Sequence, residues 1–246
     1  MSTMSPLTGL RSVKCYGCGC TIDVVLLSGD AEPYNGAKAL CDPCTVKYDE
    51  KRIRDERIQD YGILEDQERI NGDCRASCFR NSKPAIEADN PDAWKYARQW
   101  KYNSENIFLH GKTGTGKTFI ANCLLNKMYG EGKSIECVHA NRFCMDSKQS
   151  WGEGATNFKR WCYVSLLLVD DIDKGMWCEL SMRALLELMD KRHTGNRRTL
   201  FTSNKKPEDL RNDLAKATQN NKSISQAIMN RMKPVIEFEI KGESHR

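Results

Sequence analysis

The sequence has no apolar run near the roughly 18 residues that a membrane-spanning helix needs. Its first residues, Met1–Arg11, lack the basic-then-apolar order of a secretory leader. These two absences point to a protein of the cytoplasm that has no membrane partner. Net charge is also scarce. An excess of +5 from 38 basic and 33 acidic residues dictates neither a strongly cationic surface nor an acidic tail. The four histidines, His110, His139, His193 and His245, form no ligand pattern and are read as packing or surface residues. Internal repeats and low-complexity tracts are missing. Cysteine, in contrast, is abundant at twelve residues. Reduced thiols are the rule in the cytosol, so the cysteines call for metal ligation or burial, not disulfides.

Three regions differ in composition. Residues 1–46 carry Cys15, Cys18, Cys20, Cys41 and Cys44. Residues 47–74 mix both charge signs around a thin apolar stripe (Ile53, Ile58, Tyr61), the pattern of an exposed helical linker. Residues 75–246 alternate short apolar runs with helical periodicity. Strands are expected at Asn106–His110, Ile135–His139, Leu166–Val169, Thr199–Thr202 and Val235–Ile240. Helices are expected after Asn90-Pro91-Asp92 and over Phe119–Tyr129, Leu180–Met189 and Glu208–Leu214. Trp94, Ala97 and Trp100, at helical spacing, are read as core. Such alternation predicts a parallel sheet covered by helices.

Gly111-Lys112-Thr113-Gly114-Thr115-Gly116-Lys117-Thr118 fits G-x-x-x-x-G-K-[ST], placed between an expected strand and an expected helix. Glycines let the backbone turn so that its N–H groups face phosphate oxygens, and the helix adds its positive end. Lys117 is suited to the β- and γ-phosphates and Thr118 to Mg²⁺. An acidic partner should close an apolar strand, and Leu166-Leu167-Leu168-Val169-Asp170-Asp171 supplies it. Asp170 is the expected Mg²⁺ residue and Asp171 the one that orients the attacking water. Glutamate is more usual in that second role, and the shorter side chain predicts slow turnover. Thr202-Ser203-Asn204 places a polar group where it can sense the γ-phosphate. Pro207 in place of the aspartate of N-K-x-D, and Asp173 in place of the glycine of D-x-x-G, disfavour guanine. The nucleotide is therefore read as ATP.

Cys15-x-x-Cys18 and Cys41-x-x-Cys44 have the spacing of a closed, structural Zn²⁺ site with four thiolates. So short and polar a segment needs such a staple to fold. Cys20 is a poorer alternative to Cys18. The remaining cysteines are read as ordinary thiols.

With these motifs in order, residues 75–240 resemble the DnaC/IstB-type branch of the AAA+ ATPases. The pieces that carry the resemblance are Gly111–Thr118, Leu166–Asp171 with the following helix, Thr202-Ser203-Asn204 and Asn230-Arg231-Met232. The resemblance implies a five-stranded parallel sheet in the order 5-1-4-3-2, with no helical lid because only 15 residues follow Arg231. It implies that Asn204 is the first sensor. It also implies that Arg231 is an arginine finger acting on a neighbouring subunit's ATP, and hence a homo-oligomer. A cysteine-rich module ahead of such an ATPase is similar to the helicase loaders related to DnaI, in a bacterium or an infected host. Their expected partners are a replicative hexameric helicase and single-stranded DNA. Trp151 with Lys148, and Trp177 with Lys174, are the candidate DNA contacts. The rival expectations are an IstB-like transposition helper, a slow-turnover ATP-switched adaptor and, last, a zinc-bearing nucleotide kinase.

Overall fold

The computed structural model describes residues 10–16, 18–25, 76–80, 84–102, 104–149, 152–217 and 222–244, together with Glu56, Leu64, Arg69, Ile70 and Cys74. Two compact units, Met1–Gly62 and Ile63–Arg246, make up the chain. In the first, β1 (Leu10–Lys14) and β2 (Thr21–Val25) form an antiparallel hairpin that pairs Lys14 with Thr21 and Leu10 with Val25. Its turn is closed by Cys15 N–H donating to the Cys20 carbonyl (2.8 Å) and Gly19 N–H donating to the Cys15 carbonyl (2.8 Å).

The second unit is built on a five-stranded sheet of β3 (Asn106–His110), β4 (Ile135–His139), β5 (Leu166–Asp170), β6 (Arg198–Ser203) and β7 (Val235–Glu239). All neighbours are parallel and the spatial order is β4-β5-β6-β3-β7. From the β7 edge this reads fifth, first, fourth, third, second, the 5-1-4-3-2 order expected. Strands buried on both faces should be continuously apolar. Leu166-Leu167-Leu168-Val169 is, and every residue of β5 is buried. Alternate residues serve opposite layers. Phe108, Leu167, Val169 and Phe201 join one core cluster with Phe143, Trp161, Leu185, Leu188, Leu214 and Ile228. On the other side lies α3 (Lys117–Gly130), so enclosed that Ile120, Ala121, Cys123, Leu124, Leu125 and Met128 are all buried.

The remaining helices are α1 (Pro84–Asp89), α2 (Pro91–Gln99), α4 (Ala140–Asp146), α5 (Glu153–Tyr163), α6 (Glu179–Thr194), α7 (Pro207–Lys216) and α8 (Lys222–Met232). Trp94, Ala97 and Trp100 are buried as core, and the Trp100 indole N–H donates to the Glu105 carbonyl (2.9 Å). The sequence reading had no α1, α4, α5 or α8. Helix α4 starts without Ser, Thr, Asp or Asn at its cap, where the His139 imidazole accepts from Asn141 N–H (3.3 Å). Gly152, at φ +79°, precedes α5. Among the described residues no helix follows β7.

Arg192 of α6 is fully buried. Its guanidinium donates to Thr199 Oγ1 (2.9 Å) and to the carbonyls of Trp161 (2.7 Å), Val164 (2.9 Å), Ser165 and Arg198. These bonds pin α6 and the end of α5 to the start of β6.

The second unit begins earlier than the charge pattern implied. Leu64, Ile70 and Cys74, inside the stretch 47–74 expected as an exposed linker, are buried. The Arg69 carbonyl accepts from Cys137 N–H (2.6 Å) on edge strand β4, and Arg69 Nε donates to Glu136 (2.8 Å). This contact supplies a partner that an edge strand otherwise lacks. Most of that stretch, like Cys41, Cys44 and Trp151, lies outside the described residues.

Candidate functional site

Strand β3 runs into the loop Gly111–Gly116, and α3 begins at Lys117. Gly111, Gly114 and Gly116 have φ of +146°, +89° and +99°, values that side-chain-bearing residues avoid. A Cβ on Gly116 would lie 2.7 Å from Ile86 Cδ1, and one on Gly111 would collide with the Ile240 carbonyl. Within the loop, Thr115 Oγ1 donates to the Lys112 carbonyl (2.9 Å).

The Lys117 ammonium is buried at the centre. It donates to the carbonyls of Gly111 (2.9 Å) and Lys112 (2.8 Å) and to Asn204 Oδ1 (3.1 Å). Three donors thus meet three acceptors. Burial lowers the lysine pKa, opposed by the charges of Asp171, Asp173 and Asp170. A desolvated cation held by neutral carbonyls is well placed to exchange them for anionic phosphate oxygens.

Asp170 ends β5 and is buried. Its Oδ1 accepts from Thr118 Oγ1 (3.0 Å) and from Thr202 Oγ1. Burial pushes its pKa up, the hydrogen bonds from Thr202 and Thr118 pull it down, and the neighbouring Asp171 charge adds to the rise. A hydroxyl oxygen and a carboxylate in contact form the hard oxygen set that fits Mg²⁺, which when bound would neutralise phosphate charge. Asp171 adopts a left-handed conformation (φ 51°, ψ 49°), which aspartate tolerates better than most residues. Its N–H donates to Thr202 Oγ1 (2.8 Å). Its Oδ2 accepts from Lys174 Nζ (2.6 Å) and lies 3.6 Å from His139 Nε2. His139 Nδ1 is taken by the α4 cap, so Nε2 is the nitrogen that faces Asp171.

Asn204 follows β6. Its Oδ1 accepts from Lys117 and from Thr113 Oγ1 (3.3 Å). Its backbone N–H and Nδ2 donate to the two Asp173 carboxylate oxygens (2.8 and 3.2 Å). Loop, acidic pair and amide are therefore in mutual contact. The sequence offers Thr202 only as part of Thr202-Ser203-Asn204, Asp173 only as a residue that disfavours guanine, and His139 only as packing or surface; none is singled out for the site. Thr202 could have been found as a polar residue where an inward strand position calls for an apolar one. His139 had no comparable signal.

The expected DNA contacts are placed differently. Trp177 is half-buried, packs on Phe143 (centroids 5.8 Å apart) and spends its indole N–H on the Ile172 carbonyl (2.9 Å), which is a packing role. Lys174 is paired with Asp171, and Lys148 is exposed. Arg231, in the last turn of α8, is ion-paired with Asp190 of α6. The two are about half exposed.

In the first unit the Sγ atoms of Cys15, Cys18 and Cys20 lie within 4.8 Å of one another. Thiolates on one Zn²⁺ are about 3.8 Å apart for bonds of about 2.3 Å in a tetrahedron, so these three fit as ligands. The Cys20 thiol, a poorer match to Cys18 on spacing, lies in the same cluster as Cys18, because the Cys15–Cys20 backbone bond folds the turn back on itself.

A parallel sheet in the order 5-1-4-3-2, with a phosphate loop after its first strand, an acidic pair after its third and a polar amide after its fourth, defines a P-loop ATPase of the AAA+ class. Residues 95–246 match the family described as IstB-like ATP binding protein, and the chain belongs to that family. Its fold is similar to that of DnaI (TM-score 0.54, 20% identity, covering 65% of this chain and 87% of that one). It is also similar to the DnaC helicase loader (TM-score 0.53, 14% identity, 70% and 100%). A third similar structure is AMPPCP-bound DnaA from Aquifex aeolicus (TM-score 0.55, 19% identity, 70% and 51%). The chain is thus an ATP-binding ATPase of the IstB-like family, with a fold similar to those of DnaI and the DnaC helicase loader.

Proposed function

We propose that this ATPase delivers a replicative hexameric helicase to single-stranded DNA. The observation that carries the reading is the pairing of two units. One is an AAA+ module with the fold of DnaI and of the DnaC helicase loader. The other is a separate hairpin with three converging thiols. In this reading residues 1–46 are a zinc module in which Cys15, Cys18, Cys41 and Cys44, with Cys20 in reserve, hold structural Zn²⁺ and engage the helicase. Residues 47–74 join that module to the ATPase of residues 75–246, the part from Ile63 onward packing with the ATPase.

At the ATP site, the 111–118 loop and Lys117 hold the triphosphate, and Thr118 and Asp170 face Mg²⁺. Asp171 orients the water, and Asn204 senses the γ-phosphate through the Lys117 ammonium that it anchors. Arg231 acts on the ATP of an adjacent subunit, which requires it to leave Asp190. A guanidinium supplied in trans offsets charge on the transferred phosphoryl group and makes turnover depend on assembly. ATP binding favours the state that grips helicase and DNA, and hydrolysis releases it. In a test by pull-down, tagged protein is mixed with purified hexameric replicative helicases, with and without ATP. The parent should retain a helicase and the Cys15→Ser/Cys18→Ser variant should not. Equal retention by both removes the zinc module from the interface, and retention by neither removes the loader reading.

A second reading is favoured by the family itself. An IstB-like transposition helper would assemble on duplex DNA in a length-dependent way, whereas a loader would form a discrete complex with helicase. The ion pair between Lys174 and Asp171 favours a third, an adaptor switched by ATP with very slow turnover. Equal hydrolysis by Asp171→Asn and the parent would select it.

A further inference from the structure

The 3-10 turn Ile172–Lys174, directly after the left-handed Asp171, folds Asp173 back against the end of β6. There its two carboxylate oxygens accept from both donors of Asn204, the backbone N–H (2.8 Å) and Nδ2 (3.2 Å). A primary amide is nearly symmetric in shape, so the groups around it decide which end faces which way. An ionised carboxylate only accepts, and therefore fixes Nδ2 on its own side. The amide oxygen must then face the phosphate loop, where both neighbours, Lys117 Nζ (3.1 Å) and Thr113 Oγ1 (3.3 Å), are donors. The three contacts of the side-chain amide agree on one orientation.

We propose that Asp173 is a positioning residue for ATP recognition and turnover: it locks the Asn204 amide with its oxygen toward Lys117. In this orientation Asn204 has no N–H to offer the γ-phosphate, whose oxygens would be repelled by Oδ1. Asn204 instead anchors one ammonium proton of Lys117 and sets where the remaining charge points when the loop carbonyls are exchanged for phosphate oxygens. Asp173 also adds its charge to those that keep Lys117 protonated against burial. The proposal rests on the ATP-site reading and is independent of helicase loading.

The test compares ATP and ADP affinity by equilibrium titration, and turnover by phosphate release, for the parent, Asp173→Ala, Asp173→Asn, Asn204→Asp and the exchange variant Asp173→Asn/Asn204→Asp. ADP needs the loop but not the placement of Lys117 toward the γ-position. Loss of a charged hydrogen bond predicts that the preference for ATP over ADP falls about tenfold or more in the three single variants, and kcat with it. ADP affinity should stay within about threefold, the remaining loop contacts being intact. The exchange variant can rebuild the bidentate pair, with the side chain at 173 still accepting from the backbone N–H of 204 and now donating its Nδ2 to the carboxylate at 204, which still faces an oxygen toward Lys117, and should recover most of the ATP preference. The proposal is overturned if ATP and ADP weaken together, if neither changes, or if the exchange variant shows only the sum of the single losses. A parent that binds ATP but releases no phosphate would sink the ATPase reading, while the affinity ratio would still decide the role of Asp173.

Discussion

Replacing Thr202 by valine removes one oxygen and keeps the shape of the side chain. Thr202 is fully buried, and its hydroxyl bridges the Asp170 carboxylate and the Asp171 backbone. It donates to Asp170 Oδ1 and accepts from Asp171 N–H at 2.8 Å. Thr202→Val therefore strands one N–H, at about 1–3 kcal/mol, and takes a donor from a buried carboxylate, at about 1.5–3 kcal/mol. Partial compensation between neighbours gives an expected net loss of about 2–4 kcal/mol in metal-free protein. The assay is urea denaturation of the parent and Thr202→Val, each alone and combined with Asp170→Asn. With the charge at 170 gone, the second contribution shrinks and the valine should cost at least about 1 kcal/mol less. A loss below about 0.5 kcal/mol, or the same loss in both backgrounds, would refute the reasoning that this hydroxyl bridges the acidic pair.

Three further outcomes are expected. Burial raises the Asp170 pKa, so its ionised form opposes folding above that pKa and the penalty is relieved as pH falls through it. Asp170→Asn should thus leave metal-free protein at neutral pH as stable as the parent or more so in thermal denaturation, while abolishing Mg²⁺-dependent ATP hydrolysis; a clear drop in Tm contradicts this. Lys174→Met releases Asp171 from a partly exposed ion pair worth about 0.5–1 kcal/mol, so basal phosphate release should rise roughly two- to fivefold; a fall would make Lys174 part of the catalytic machinery. Chelation of the full chain should remove one zinc, measured by elemental analysis, and open the segment around Cys15–Cys20 to protease while ATP affinity stays within about twofold; loss of ATP binding would show that the two units are coupled.

The readable parts of the sequence were those where one requirement dominates. A strand enclosed on both faces must be apolar throughout, so Leu166–Val169 was legible and β5 runs only one residue further, to Asp170; β3 and β4, short apolar runs that also hold Asn106, His110, Glu136 and His139, match their expected bounds. Phosphate cradling demands glycine at strained positions, so Gly111–Thr118 was legible before any geometry. Helices α4 and α5 were not, because one is capped by an imidazole from the preceding strand and the other follows a glycine at positive φ. Both signals are tertiary or conformational. The start of the second unit was hidden for a related reason: abundant charge around Leu64, Ile70 and Cys74 masked three apolar residues that cover its surface. At the site, the acidic residues and the amide were assigned singly. Their coupling through Thr202 and Asp173 depends on β5 and β6 lying side by side, which spacing along the chain does not reveal. Spacing also favoured Cys18 over Cys20, whereas a backbone bond closing the turn brings both to Cys15.

The most direct test of the loader reading is reconstitution on single-stranded DNA coated with its binding protein. A purified hexameric helicase is supplied with the parent chain, with Lys117→Ala, or with Cys15→Ser/Cys18→Ser, and strand separation is followed over time. The account predicts ATP-dependent unwinding with the parent chain that is lost with either variant. Unwinding that proceeds equally without the chain, or with Lys117→Ala in its place, would contradict it.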